Sequence, residues 1–186
     1  MNKPSSNTTE NATERAKNIR LLLLDVDGIL SDGRLYFGNS GEEIKAFNIL
    51  DGMGIKLLKN SGVQVGIITG RSSQLLERRA NNLGINLLVQ GREDKFTALN
   101  ELLESKPEGL DDITLNEIAF MGDDLPDLPV IRRVGLGLTV PNGHTEVQNN
   151  AHWQSERKGG EGAVREACDF ILKAQGNYDT AIEAYL

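Results

Sequence analysis

The chain has 186 residues, of which 39% are hydrophobic and 25% charged, and its net charge is −7. This composition fits one globular domain with room for a sizeable core. The negative charge argues against nucleic acid, and no apolar run approaches the ~18 residues of a membrane-spanning helix. A small anionic substrate stays open, because a metal ion and a few placed basic residues can reverse the field locally. The one cysteine, Cys168, excludes a disulfide framework and a cysteine zinc site, and its helical apolar setting reads as core.

Residues 1–18 are polar, with no apolar h-region, so a disordered leader is expected rather than a signal peptide, and a cytoplasmic location follows by default. From residue 19 to 176 the pattern alternates strand and helix. Strands are expected at Arg20–Leu24, Val63–Ile68, Asn86–Val89, Glu117–Met121 and Gly135–Leu138, each a short apolar run closed by turn residues. Helices are expected at Met53–Lys59, Ser73–Leu83, Lys95–Leu103, Leu125–Arg133 and Ala163–Lys173. Residues 34–49 break the alternation and read as a β-hairpin, with Gly38-Asn39-Ser40-Gly41 as its turn. Residues 177–186 read as a C-terminal tail with a frayed end. The fold class is therefore α/β, a doubly wound parallel sheet with a hairpin inserted at its ligand end.

The chemistry sits at strand ends. Asp25 and Asp27 close the leucine run 21–24, and i, i+2 spacing in extended chain points them to one side. Two carboxylates so close need a cation or a proton between them, which suggests a Mg²⁺ site beside a nucleophile and an acid/base. Alone, the pair also reads as an acidic turn. Gly122-Asp123-Asp124 repeats the pattern after Ile118–Met121, with a helix N-cap as its plainer meaning; Asp127 reads as the following helix start. Thr69-Gly70-Arg71 offers a hydroxyl and free N–H groups to phosphate oxygens, or is an ordinary βα turn. Lys95 would neutralise a carboxylate and a phosphoryl group, or is a solvated helix start. Together the four supply the parts of a phosphoryl-transfer site. His144 and His152 are not at ligand spacing and read as turn or surface residues, and Trp153 reads as packing.

The ordered set Asp25-Val26-Asp27-Gly28, Thr69, Lys95 and Gly122-Asp123-Asp124 resembles the four motifs of the haloacid-dehalogenase superfamily. DVDGILSDG, the hairpin, GEEIKAFNILDGMGIKLL, TGR and GGEGAVRE are similar to the 3-deoxy-D-manno-octulosonate 8-phosphate phosphatase family, which carries a short hairpin in place of a cap domain. The resemblance implies a Mg²⁺-dependent phosphatase of lipopolysaccharide precursor synthesis. Asp25 would be the nucleophile and Asp27 the acid/base, with Mg²⁺ on Asp25, Asp27 through its backbone carbonyl, and Asp123, and Asp124 just outside the metal's ligands. Thr69, Gly70 and Lys95 would hold the phosphoryl group. Asp27, Asn48, Asp51, Gly52, Lys56, Arg71 and Arg79 would contact a phosphorylated sugar acid. The family resemblance also implies a homotetramer in which the tail, from residue 159, closes a neighbouring site, with Arg157 and Lys158 adding charge; truncation after Lys158 is expected to spare the fold. Leu50 stands where the family often has arginine, and Lys56 where an arginine can occur. Leu50 keeps a phosphatase for a nine-carbon sialic-acid 9-phosphate as the alternative. A receiver-like phospho-acceptor is the alternative from another class, but its acidic pair would lie on the first strand and its acceptor on the third.

Overall fold

The four leucines of β1 (Leu21–Leu24) are apolar without interruption because both faces of the strand are covered. Leu22 and Leu24 enter one apolar cluster and Leu21 and Leu23 the other, as strand alternation requires. The structure, a computed structural model, describes residues 6–186. β1 pairs in parallel with β4 (Gln64–Ile68) on one side and β6 (Ile118–Met121) on the other, Leu24 lying level with Ile67 and Met121. The hairpin strands, β2 (Tyr36–Phe37) and β3 (Glu43–Ile44), pair only with each other, Tyr36 opposite Ile44.

With β5 (Leu87–Val89), β7 (Leu136–Thr139) and β8 (Trp153–Gln154), the main sheet has the order β5-β4-β1-β6-β7-β8, all parallel. Counting its strands along the chain, this is the doubly wound order 3-2-1-4-5-6, whereas a receiver has 2-1-3-4-5. The order reverses beside β1, so the crevice beyond the ends of β1 and β6 is where such a sheet takes a ligand. One helical layer holds α1 (Ser6–Ala16), α2 (Ile49–Asn60), α3 (Gln74–Leu83) and α7 (Ala163–Ala174). The other holds α4 (Lys95–Glu104), α5 (Leu128–Ile131) and α6 (Thr145–Asn150).

Several expectations are corrected. The leader is helical over Ser6–Ala16: Ala12 and Ala16, one turn apart, are buried, and Gln175 donates to the carbonyls of Ala16 and Ile19 at 3.2 and 2.8 Å. The first five residues of that expectation lie outside the described residues. Prolines at 126 and 129 split the helix expected over 125–133 into a 3₁₀ turn, Leu125–Asp127, and the short α5. Residues Tyr178–Ile182 form α8 instead of a frayed end, with Tyr178, Ala181 and Ile182 half-buried against the core. β8 was not expected; its Trp153 stacks on Phe170 at 5.1 Å between ring centroids.

The tail is not dispensable either. Val164, Ala167, Cys168, Ile171 and Leu172 of α7 are all fully buried, so a cut after Lys158 removes core. Within this chain the loop before α7 lies on its own β1 turn. Gly160 N donates to Ile29 O at 2.9 Å, and a Cβ on Gly159 would stand 1.6 Å from Gly28 O.

Candidate active site

β1 ends at Leu24, and Asp25 prolongs its pairing by donating its N–H to Met121 O at 2.9 Å. Its carboxylate is nearly enclosed. Lys95, the first residue of α4, is buried with its Nζ 2.7 Å from Asp25 Oδ1 and 2.6 Å from Asp127 Oδ1. The other oxygen of Asp127 accepts the N–H groups of Asp123 and Asp124, at 3.0 and 3.1 Å. Asp127 thus ties the lysine to the loop that presents Asp123. Asp123 in turn lies against Gly28: a Cβ there would meet its Oδ2 at 2.1 Å, and Gly28 has φ +98°. Only glycine fits that backbone beside that carboxylate.

Oxygens of Asp25, Asp123 and Asp127 lie within 4.8 Å of one another. Burial, then the charges of Asp25 and Asp127, pushes the Asp123 carboxyl up to about 8. Burial and Asp127 push Asp25 up to about 7 against the pull of Lys95. Asp123 Oδ1 is buried with no hydrogen-bond partner. Excess negative charge, an orphaned carboxylate oxygen and an all-oxygen donor set fit a hard divalent cation.

Asp27 has different company. It meets the ammonium of Lys45, whose side chain is 4% exposed, and lies 3.7 Å from Arg71 Nε; Ser31 Oγ stands 3.4 Å away. Glu43 holds Arg71 at 3.0 Å and lies 3.7 Å from Lys45, so the hairpin arm β3 carries a charge network to Asp27. The i, i+2 rule brings both aspartates to the end of β1, but Asp25 faces Lys95 and Asp127 while Asp27 faces the hairpin. Thr69 follows β4 and is buried, its Oγ1 3.4 Å from Arg71 N; Gly70 lies beside the Glu93 carboxylate.

The expected substrate residues divide. Arg71 joins Asp27. Asn48 caps α2 through Leu50 N at 2.8 Å and donates to Gly160 O at 3.2 Å. Arg79 donates to Asn48 O at 3.1 Å and lies over the Phe47 ring, 5.9 Å from its centroid. Gly52 makes room for that guanidinium, which a Cβ would meet at 2.5 Å. Asp51 turns inward: it is 1% exposed, its Oδ1 accepts from Arg165 N at 2.8 Å, and burial pushes it up to about 6. Lys56 is exposed two turns further along α2 and joins neither group. His144 and His152 accept backbone bonds, from Glu146 N and Gly137 N. Arg157 pairs with Glu166 at 3.4 Å.

Two residues escaped sequence reasoning. Asp127 stands at the helix start as expected, but its hold on Lys95 and on the Asp123 loop goes further, and a third acid three residues after Gly122-Asp123-Asp124 is the signal for it. Lys45 carried no local signal, because its burial depends on where the hairpin folds.

The family model for haloacid dehalogenase-like hydrolases matches residues 88–166, which include Lys95 and Asp123–Asp127. The 3-deoxy-D-manno-octulosonate 8-phosphate phosphatase KdsC of Yersinia pestis is 49% identical over 175 residues, 92% of this chain and 89% of that protein. The chain belongs to this phosphatase family. It is a phosphoric monoester hydrolase of the haloacid-dehalogenase class, with the helix-flanked parallel sheet of that fold. Among solved structures, a probable YrbI family phosphatase from Pseudomonas syringae is 51% identical, with a TM-score of 0.90 over 95% of this chain and 97% of that one. The Moraxella catarrhalis family member, solved with magnesium ion, phosphate ion and a KDO molecule, is 44% identical, with a TM-score of 0.90 over 98% of this chain and 100% of that one.

Proposed function

We propose that the chain hydrolyses 3-deoxy-D-manno-octulosonate 8-phosphate to the free sugar acid and phosphate, in the cytoplasm, within lipopolysaccharide precursor synthesis. The observation that carries the reading is the buried Asp25–Lys95–Asp127–Asp123 cluster with an orphaned oxygen, in a chain of this family. Asp25 attacks phosphorus and the sugar oxygen leaves, giving an aspartyl-phosphate. Asp27 protonates that leaving oxygen, then takes a proton from the water that cleaves the acyl phosphate. Lys95 holds charge as it moves onto the phosphoryl oxygens, with Thr69 and Gly70 donating to them. Mg²⁺ on Asp25, Asp123 and the Asp27 carbonyl would offset the repulsion between an anionic nucleophile and an anionic phosphate. Arg71, 3.7 Å from Asp27, is the basic partner for the sugar carboxylate, and Arg79 from α3 would meet the sugar together with Asn48 at the cap of α2.

The oligomer is part of the reading. Leu35, Tyr36, Phe37, Ile44, Ile49, Leu50 and Met53 are all exposed on the hairpin and the start of α2. So many exposed large apolar side chains on two neighbouring segments support a homotetramer sealed at the hairpins. No described helix is long and apolar enough to cross a membrane.

The test is phosphate release from a panel of sugar phosphates, with and without Mg²⁺. The eight-carbon substrate should be preferred, and Asp25→Asn should lose turnover. A preference for a nine-carbon sialic-acid 9-phosphate would overturn the substrate; full turnover by Asp25→Asn would overturn the nucleophile.

A further inference from the structure

The buried carboxylate of Asp51 has no place in the chemistry above, yet two elements meet at it. It sits in the first turn of α2, three residues after the cap Asn48. α7 opposite begins at Ala163, and its cap position, Gly162, has no side chain to accept its first N–H groups and stands at φ +103°. The first-turn N–H groups of α7 therefore need an outside acceptor, and Asp51 Oδ1 takes that of Arg165 at 2.8 Å. Burial within the protein leaves Asp51 no exposed oxygen for a sugar hydroxyl.

The loop that leads into α7 is held from the same turn of α2. Asn48 Nδ2 donates to Gly160 O at 3.2 Å. Gly159 and Gly160 then lie flush on the backbone that follows the acid/base: Gly160 N donates to Ile29 O, and a Cβ on Gly160 would meet Asp32 N at 2.6 Å. Asp27 is the residue before Gly28, and the only backbone between it and this contact is one glycine. The route runs from Asp51 to α7, from α7 to the glycine loop, and from the loop to the turn that aims Asp27.

We infer that Asp51 is a positioning residue, which with Asn48 clamps the 159–162 loop on the Gly28–Asp32 turn and so fixes the aim of the acid/base. The inference rests on the phosphatase reading of the site. It separates Asp51 from the substrate contacts: a residue that aims the acid/base matters for any phosphate ester, whereas a residue that touches sugar matters only for the sugar phosphate.

The experiment compares Asp51→Ala, Asp51→Asn and Asn48→Ser on 3-deoxy-D-manno-octulosonate 8-phosphate and on a plain alkyl phosphate, whose alkoxide likewise needs a proton to leave, well below each variant's Tm. Asp51→Ala should lose about 10- to 100-fold in kcat by the same factor on both esters, with KM little changed. Asp51→Asn keeps an acceptor for Arg165 N and should stay within about threefold of wild type. Amide exchange at Gly160 and Arg165 should quicken in Asp51→Ala and not in Asp51→Asn. A loss confined to KM for the sugar phosphate, or an unchanged kcat in folded Asp51→Ala, overturns the inference. Should Asp51→Ala not fold, Asn48→Ser decides, since serine still caps α2 but is too short to hold Gly160. Unchanged kcat and unchanged exchange at Gly160 in that variant refute the clamp. Wild-type enzyme that releases phosphate from neither ester would refute the proposed function instead, and the exchange data would still judge the clamp.

Discussion

Two truncations test how the C-terminal end is built. Ending the chain at Lys158 deletes α7 and α8; ending it at Gly176 deletes only α8 and the 3₁₀ turn Glu183–Tyr185. The first cut removes Val164, Ile171 and Leu172, each fully buried, together with the buried Ala163, Ala167 and Cys168. At about 1.5–3 kcal/mol for each large aliphatic side chain, the three alone contribute roughly 5–9 kcal/mol. That is comparable with the whole stability of a domain, about 5–15 kcal/mol. The cut also bares the face of α2 at Gly54, where the helices approach so closely that a Cβ would lie 3.0 Å from Arg165 Cα. The shorter cut removes Tyr178, Ala181 and Ile182, which are only half-buried, and should cost roughly 1–3 kcal/mol. Circular dichroism with thermal melting is the assay. The chain ending at Lys158 should show no cooperative transition, and the chain ending at Gly176 should melt a few degrees below wild type. A native spectrum and a sharp melt for the shorter chain would refute the placement of α7 in the core.

Three further outcomes are expected. Mg²⁺ at about 100 times its Kd should stabilise the enzyme by about 2.7 kcal/mol, or about 5–10 °C in Tm, and Asp123→Asn should lose most of that rise; an equal rise in the variant would remove Asp123 from the metal site. Lys45→Met should lower kcat roughly 10- to 100-fold with an unchanged circular dichroism spectrum, since Asp27 loses its contact with a buried cation; wild-type turnover would show that this contact is idle. Asp51, pushed from 3.8 up to about 6, holds a proton in the folded chain that the unfolded chain releases, so wild-type stability falls as pH rises through that window and the cost is complete above it. Asp51→Asn should therefore gain on wild type by up to about 3 kcal/mol between pH 4 and 7 in urea melts; a flat difference would place the charge elsewhere.

The hairpin shows where sequence reasoning reached and where it stopped. Its arms and its Gly-rich turn were legible from alternation, and the structure pairs Tyr36 with Ile44 inside the expected limits. What Lys45 touches was not legible, because the contact with Asp27 spans eighteen residues and depends on how the hairpin folds back. α1 was missed because its buried face is made of alanines, which raise the local hydropathy too little to stand out from Asn, Thr and Glu. β8 was missed because two residues carry no period.

The sequence by itself determined the alternation of strand and helix, and with it the placing of Asp25, Thr69, Lys95 and Asp123 at the ends of apolar runs. Those features are local: a buried strand must be apolar, and a polar residue at its end needs a task. Only the tertiary structure decided which carboxylates lie close enough to hold a cation together, that Asp127 bridges Lys95 to the Asp123 loop, and that Asp51 faces α7. Each depends on which strand neighbours which, and on how α2 and α7 cross. Such contacts join residues 32 and 114 positions apart, and chain order does not encode the distance between them.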